Sequence, residues 1–219
     1  MAVERYDKLL NPSRALIWRI VHVDNIPWIL DHGLHCSSAK DAYAPDWVSI
    51  GQAELIEKRA AHNVPIPPGG SLSDYVPFYF TPFSAMMYNI LSGRNVRQRC
   101  SEEIAILVSS IPHIDAMGLP YIFTDSHAYY RWANFYADPR DLSRVDWDLL
   151  QRHDFKRDPD DPAKFERYQA EALVHRHVPI DGLTGIVCHS EAIAEPIRLQ
   201  VQQRDLSLHV LARPSWYFR

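Results

Sequence analysis

The stretch FERYQAEALVHRHVP (Phe165–Pro179) places a carboxylate, Glu171, at the mouth of the apolar alternation Ala172, Val174. Either Glu171 caps a strand at the surface, or the strand aims it into a cleft. A carboxylate fixed on a strand can accept hydrogen bonds and face a developing positive charge, which a mobile loop does less well. Three further stretches set polar and aromatic groups beside apolar runs: WRIVHVDN (Trp18–Asn25), IEKRAA (Ile56–Ala61) and GGSLSDYVPFYFTPFSAMMY (Gly69–Tyr88). Each has a plain alternative. Arg59 on a helix reads as a solvated cation, His22 as a hydrogen-bonded structural histidine, and DYVPFYF as a core strand. His175 and His177 alternate and would share a strand face, but no third ligand stands at a recognised metal spacing.

The elements that must hold these residues follow from periodicity and punctuation. ALIWRIVHV (Ala15–Val23) predicts a strand, and DNIPWILDHGL a short helix capped by Asp24 or Asn25 and ended by Gly33. SIGQAELIEKRAA predicts a loop entering a helix that carries Leu55, Ile56 and Arg59. FYF (Phe78–Phe80) predicts a strand, and SAMMYNILSG a helix with Ser84 as its cap. EEIAILVSS and YIFTD predict strands, and SHAYYRWANFY a helix. An excursion at about residues 138–168 follows, with a short helix at Trp147–Arg152. The Glu171 strand, GIVCHS as a strand, a helix near Ala194–Arg204 begun by Pro196, and a final strand LSLHVLARPSWYF complete the chain. Strands dominate without regular βαβ alternation, which predicts an α+β fold with an antiparallel or mixed sheet in a single domain, 1–219.

Composition excludes several classes. The chain has 219 residues, 47% of them hydrophobic, enough to bury a sizeable core. No run reaches a membrane span, and the opening MAVERYDKLLNPSR lacks the apolar core of a signal peptide. Three scattered cysteines predict reduced thiols and a cytoplasmic location. Net charge is −4 and the pI about 6.2, so any polyanion site must be local. Neither GxGxxG nor GxxxxGK[ST] is present, so phosphates would be held by other means.

Taken together, the stretches resemble DarT, the DNA ADP-ribosyltransferase toxins of bacterial toxin–antitoxin pairs. The resemblance runs nearly end to end: IWRIVHVDNIPWILDHGLHC, SIGQAELIEKR, PPGGSLSDYVPFYFTPFSAMMYNILSGR, EEIAILVSS, FTDSHAYY, VDWDLL, FKRDPDDPAKFERYQAEALVHRHVP and the terminal WYF. It is greater to the thymine-modifying branch than to the guanine-modifying one. It implies an ADP-ribosyltransferase-like split sheet with short peripheral helices, gripping NAD+ as co-substrate without a Rossmann fingerprint and without a metal. It implies Glu171 of the QAE motif and the helical Arg59 as catalytic. Arg19, His22, Asp24 and Asn25 would lie near the adenosine and phosphates. Arg59, Tyr75 and Tyr79, with Phe78 and Phe80, would complete the NAD+ site. His127 of FTDSH would face single-stranded DNA, with Tyr129, Tyr130, Arg157 and Arg167. Arg19 departs from members that carry histidine there, though arginine serves a diphosphate at least as well. The resemblance also implies a macrodomain antitoxin, DarG-like, and no membrane association.

The chemistry suits these residues. Transfer breaks the bond between C1′ and nicotinamide through an oxocarbenium-like state, which a fixed carboxylate stabilises selectively. Thymine N3 is protonated at neutral pH, so a permanent cation such as Arg59 would favour the N3 anion, with water or His127 carrying the proton. Tyr129, Tyr130, Trp132 and Phe135 form either a base-stacking platform or an amphipathic helix packed on the core. The excursion holds five cations and five carboxylates between Arg152 and Arg167, so shape and stacking outweigh raw charge there. The alternatives are the same fold acting on RNA or protein, and an inactive NAD+- or nucleic-acid-binding module. The presence of both Arg59 and Glu171 argues against the latter.

Overall fold

The computed structural model describes residues 6–39 and 43–218. Residues 1–5, which begin the stretch read as lacking a signal sequence, lie outside the described residues. Among the described residues there are ten strands: β1 (Leu16–His22), β2 (Leu34–His35), β3 (Tyr75–Tyr79), β4 (Ile104–Ser110), β5 (Tyr121–Thr124), β6 (Phe135–Tyr136), β7 (Glu171–His175), β8 (His177–Val178), β9 (Gly185–Cys188) and β10 (His209–Ala212). The α-helices among the described residues are α1 (Ile26–His32), α2 (Ala53–Ala60), α3 (Ala85–Ser92), α4 (Ile111–Ala116), α5 (Trp147–Gln151), α6 (Lys164–Arg167) and α7 (Glu191–Gln203).

Eight strands form one sheet in the order β10-β9-β4-β1-β3-β7-β5-β6, antiparallel except for the β9–β10 pair. The expected α+β class is therefore correct, and so is the split. Strand β1 pairs with β4 from Leu16↔Ser110 to His22↔Ile104, but with β3 only at Trp18↔Tyr79. Beyond that single register the two central strands part. Arg19 spans the gap, its Nη1 donating to the Pro77 carbonyl at 2.8 Å. A proline inside a central strand is tolerated here because the side of β3 facing β1 has no ladder partner to serve.

Branched and aromatic residues close the core on both sides: Ile17, Val21, Phe78, Phe80, Ile106, Phe123 and Val174 are buried. α1 ends at Gly33, whose φ of 73° only glycine adopts without strain, and whose missing Cβ would stand 2.3 Å from the Val178 carbonyl. That close approach lets β2 pair with β8. Ser84 caps α3 through a bond from the Met87 N–H, and the left-handed Gly93 ends it, as the sequence predicts.

Four expectations need correction. SHAYYRWANFY is not a helix but a series of turns ending in β6. Its N–H groups are claimed elsewhere: His127 by the Glu166 carbonyl, Ala128 by the Glu171 carboxylate, Tyr129 by His127 Nδ1 and Asn134 by Asp125. Pro196 does not begin the last helix. α7 starts five residues earlier, with the Ser190 carbonyl taking the Ala194 N–H, and the proline costs one bond inside it. The final strand is only β10, because Pro214 turns the chain and the Tyr217 hydroxyl then anchors 2.9 Å from the Ile104 carbonyl. His175 and His177 do not share a strand: Arg176 at φ 65° breaks it, and His177 belongs to β8.

Candidate active site

Glu171 opens β7 directly opposite Tyr79 of β3, and it is 2% exposed. The strand therefore aims the carboxylate inward, and the surface-cap reading fails. Burial of a carboxylate demands partners; two donors meet it and a histidine ring lies alongside. Arg59 Nη1 lies 3.2 Å from Oε1 and 3.0 Å from Oε2. The Ala128 N–H donates to Oε1 at 3.0 Å. His127 Nδ1 stands 3.3 Å from the same oxygen. The Glu171 N–H is tied to Thr124 Oγ1 at 3.1 Å, which fixes the first residue of the strand.

His127 is buried, and desolvation lowers its pKa, opposed by the Glu171 charge and reinforced by Arg59. It is thus neutral at neutral pH. Its Nδ1 accepts the Tyr129 N–H at 3.2 Å, which leaves the hydrogen on Nε2. His127 consequently stands as a donor through Nε2. Tyr79 is half-buried beside Glu171, and desolvation of its hydroxyl together with the Glu171 charge pushes it above the usual tyrosine range, so it remains protonated.

These groups face a cavity of about 320 Å³ where β1 and β3 diverge. Its wall includes Arg19, Asn25, Arg59, Tyr75, Tyr79, His127 and Glu171. α2, which buries no residue in the core, turns Leu55, Ile56 and Arg59 towards this space. Two guanidinium atoms on this wall, Arg19 Nε and Arg59 Nη2, are buried without a hydrogen-bond partner. Buried orphan donors are rare. Two of them on cationic side chains of one cavity suit anionic groups there, held without a glycine fingerprint.

Several predicted residues take other places. His22 is buried outside the cavity wall, its Nδ1 accepting the Asp24 N–H and its Nε2 near Arg99 and Glu103. Asp24 is solvent-exposed and also outside that wall. Asn25 lines the cavity, but both ends of its amide are engaged: Nδ2 donates to the Val48 carbonyl at 2.8 Å and Oδ1 accepts the Val48 N–H at 2.9 Å. Phe78 and Phe80 are wholly buried in the core, because alternation along β3 turns them from the face that carries Tyr79. Tyr75 stands at the cavity with its hydroxyl bonded to the Gly69 carbonyl at 2.7 Å. Arg167 is occupied internally by Asp161, at 2.9 and 2.7 Å, and by Asp146 at 3.1 Å. Arg157 lies over the Phe165 ring at 5.1 Å. Neither arginine, nor Tyr129 or Tyr130, reaches the cavity wall.

The residues that sequence reasoning missed are His35, Tyr43, Trp47 and Met86, which also line it. Tyr43 and Trp47 pack edge to face at 4.8 Å, and Tyr43 donates to the His35 carbonyl at 2.6 Å. The aromatic segment AYAPDW carried that signal, but nothing in it has strand or helix period. Among the described residues no group of His, Cys, Asp and Glu is arranged to hold a metal, and no helix is long and apolar enough to cross a membrane.

A sheet split over a cleft, with a strand glutamate held by a helical arginine at its floor, has the architecture of an NAD+-dependent ADP-ribosyltransferase. A family model described as "DarT: ssDNA thymidine ADP-ribosyltransferase, DarT" matches residues 18–218, and the chain belongs to that family. It is 56% identical over 214 residues to a DNA ADP-ribosyl transferase of Escherichia coli O127:H6 (strain E2348/69 / EPEC), covering 97% of this chain and 98% of that one. Two solved structures are similar. Thermus sp. 2.9 DarT in complex with ADP-ribosylated ssDNA matches with a TM-score of 0.86 and 34% identity, over 94% of this chain and 98% of the other. The same enzyme in complex with NAD+ matches with a TM-score of 0.83 and 33% identity, over 94% and 99%.

Proposed function

We propose that the protein transfers ADP-ribose from NAD+ to thymine N3 in single-stranded DNA, and that it acts as a toxin in the cytoplasm. The C1′–nicotinamide bond breaks, nicotinamide leaves, a C1′–N3 bond forms, and the N3 proton passes to water. The observation that carries this reading is Glu171, buried on β7 and held by Arg59 and the Ala128 N–H at the cavity.

Glu171 faces the positive charge that develops at C1′ and accepts from the ribose hydroxyl. Its own position is set before substrate arrives, so little reorganisation is needed. Arg59 keeps Nη1 on Glu171 and presents its unpartnered Nη2 to the acceptor. A guanidinium there lowers the cost of an N3 anion without itself losing a proton. Arg19 offers its free Nε to the diphosphate. Tyr75 and Tyr79 give the nicotinamide end an aromatic wall. Asn25 acts one step removed, by holding the loop around Val48 against the end of β1. A macrodomain partner that strips ADP-ribose from DNA would complete the toxin–antitoxin pair that the family resemblance implies.

The test is incubation with labelled NAD+ and, separately, a thymine-containing single strand, its duplex, an RNA of the same sequence and a protein mixture. Label on the single strand, at N3 by mass spectrometry and with stoichiometric nicotinamide release, is expected. Label on RNA or protein with none on DNA would replace this reading.

A further inference from the structure

Turns between β5 and β6 bring Tyr130 and Trp132 together. Their rings stack at 4.9 Å between centroids and 14° between planes. The inner ring, Tyr130, meets His127 edge-on at 5.5 Å and 75°, and His127 touches the Glu171 carboxylate. The outer ring, Trp132, is 61% exposed, more than any other large hydrophobic side chain described. A continuous ladder therefore runs from the reacting carboxylate through His127 and Tyr130 to an open indole face.

This exposure is not that of a loose loop. Asp125 ties the far end of the turn, accepting from the Asn134 N–H at 3.1 Å, the Asn134 amide at 2.7 Å and the Tyr136 hydroxyl at 3.2 Å. Tyr130 and Ala133 each close a turn through their N–H groups, at 3.0 Å. The other two aromatics of the segment are spent: Tyr129 packs beside His62, and Phe135 lies in β6 against the core. Arg131, adjacent and exposed, has no ion-pair partner among the described residues and supplies positive charge beside the indole.

We infer that Trp132 is a specificity-determining residue whose open face stacks one base flanking the acceptor thymine in single-stranded DNA. The inference rests on the transfer reading above and deepens it. An unpaired base presents the π-face that a preorganised indole takes, whereas a duplex keeps that face stacked inside. Continuity with Glu171 places the flanking base at the entrance while the acceptor base lies further in. Because stacking tolerates every base, Trp132 fixes register along the strand rather than reading an edge.

The experiment uses the full chain, NAD+ and an oligonucleotide with one thymine, in which each flanking nucleotide is replaced in turn by an abasic site. For the unsubstituted protein, loss of one particular flanking base should lower kcat/KM for DNA about 5- to 100-fold, the range one base–aromatic stack supplies. Trp132→Ala should lower kcat/KM on the intact oligonucleotide by a similar factor and show no further loss with that abasic site. Trp132→Phe should restore most of both. NAD+ affinity, measured by calorimetry, should stay unchanged in both variants, which a general loss of folding would not allow. If Trp132→Ala matches the unsubstituted protein, or keeps its full sensitivity to the abasic site, the inference is overturned while the transfer reading stands. If the unsubstituted protein labels no single-stranded DNA, the transfer reading itself fails.

Discussion

Arg59 and Glu171 are 112 residues apart in sequence and meet in the cavity with Nη1 between the two carboxylate oxygens, at 3.2 and 3.0 Å. The side chains are 12% and 3% exposed, so neither charge has water to fall back on. A buried pair of this kind is weak evidence for stability, since desolvation offsets much of its attraction. Its consequence here is that Glu171 is fixed by Arg59 and by the Ala128 N–H, while Arg59 Nη2 is left without a partner.

The first prediction follows from that pairing. Glu171→Gln keeps an acceptor for the Ala128 N–H but removes the charge, and transfer to DNA should fall on the order of 10²–10⁴-fold with the fold retained. Glu171→Ala should be equally inactive and also less stable by roughly 3 kcal/mol, because it strips both the Arg59 guanidinium and the Ala128 N–H of any acceptor in a buried site. Single-turnover labelling and urea denaturation separate the two effects.

For Arg59, substitution by alanine should suppress DNA modification far more than NAD+ affinity. Lysine should rescue poorly, since one ammonium cannot hold Glu171 and also reproduce the Nη2 donor. Raising the pH over roughly two units above neutrality should partly recover Arg59→Ala, because thymine N3 then ionises unaided. A flat profile at the unsubstituted rate would remove Arg59 from the mechanism.

Asn25→Ala cuts both amide bonds to Val48 and leaves that residue's N–H and carbonyl unpaired. Stability should fall by about 2–4 kcal/mol, and NAD+ binding should weaken along with it. Asn25→Asp keeps the acceptor but loses the donor, and should sit between the two. Denaturation curves and calorimetric NAD+ titration read both quantities. A variant that weakens NAD+ binding while leaving stability untouched would mean that Asn25 contacts the ligand directly.

Acid should destabilise the protein through the buried His127. Burial lowers the pKa of His127 below the ordinary value of 6.5, so the unfolded chain binds a proton that the folded chain refuses. The stability is fully present above the unfolded pKa and is lost as pH falls towards the folded one. Each such proton contributes up to about 1.4 kcal/mol per pH unit in that window. His35, His62 and His175 are lowered by burial as well, so the slope is shared. His127→Gln should remove at most one proton's worth of slope, measured as ΔG of unfolding between pH 6.5 and 5. An unchanged slope would show that His127 titrates alike in both states.

Much of the scaffold was legible without coordinates, because its signals are local. Alternation in LIWRIVH and IAILVSS, the Ser84 cap and the Gly93 stop depend on residues within a few positions of each other. Glu171 and Arg59 were singled out by the family resemblance that the QAE and EKR stretches carry, while local pattern alone left each with a plain alternative as a surface cap or a solvated cation. Local information misjudged SHAYYRWANFY, whose helical spacing is overridden once Glu166, Glu171 and Asp125 claim its N–H groups from a distance. Nor does sequence reveal that β1 and β3 part after one register, that Arg167 is spent on Asp146 and Asp161, or that Tyr43 and Trp47 line the cleft. Those facts depend on which groups meet across long loops. The sequence alone determined the kinds of groups the chemistry can use and the strands and helices that carry them. Only the tertiary structure decided which are buried together and which donors remain unsatisfied, because burial and partner choice are properties of packing, not of neighbours along the chain.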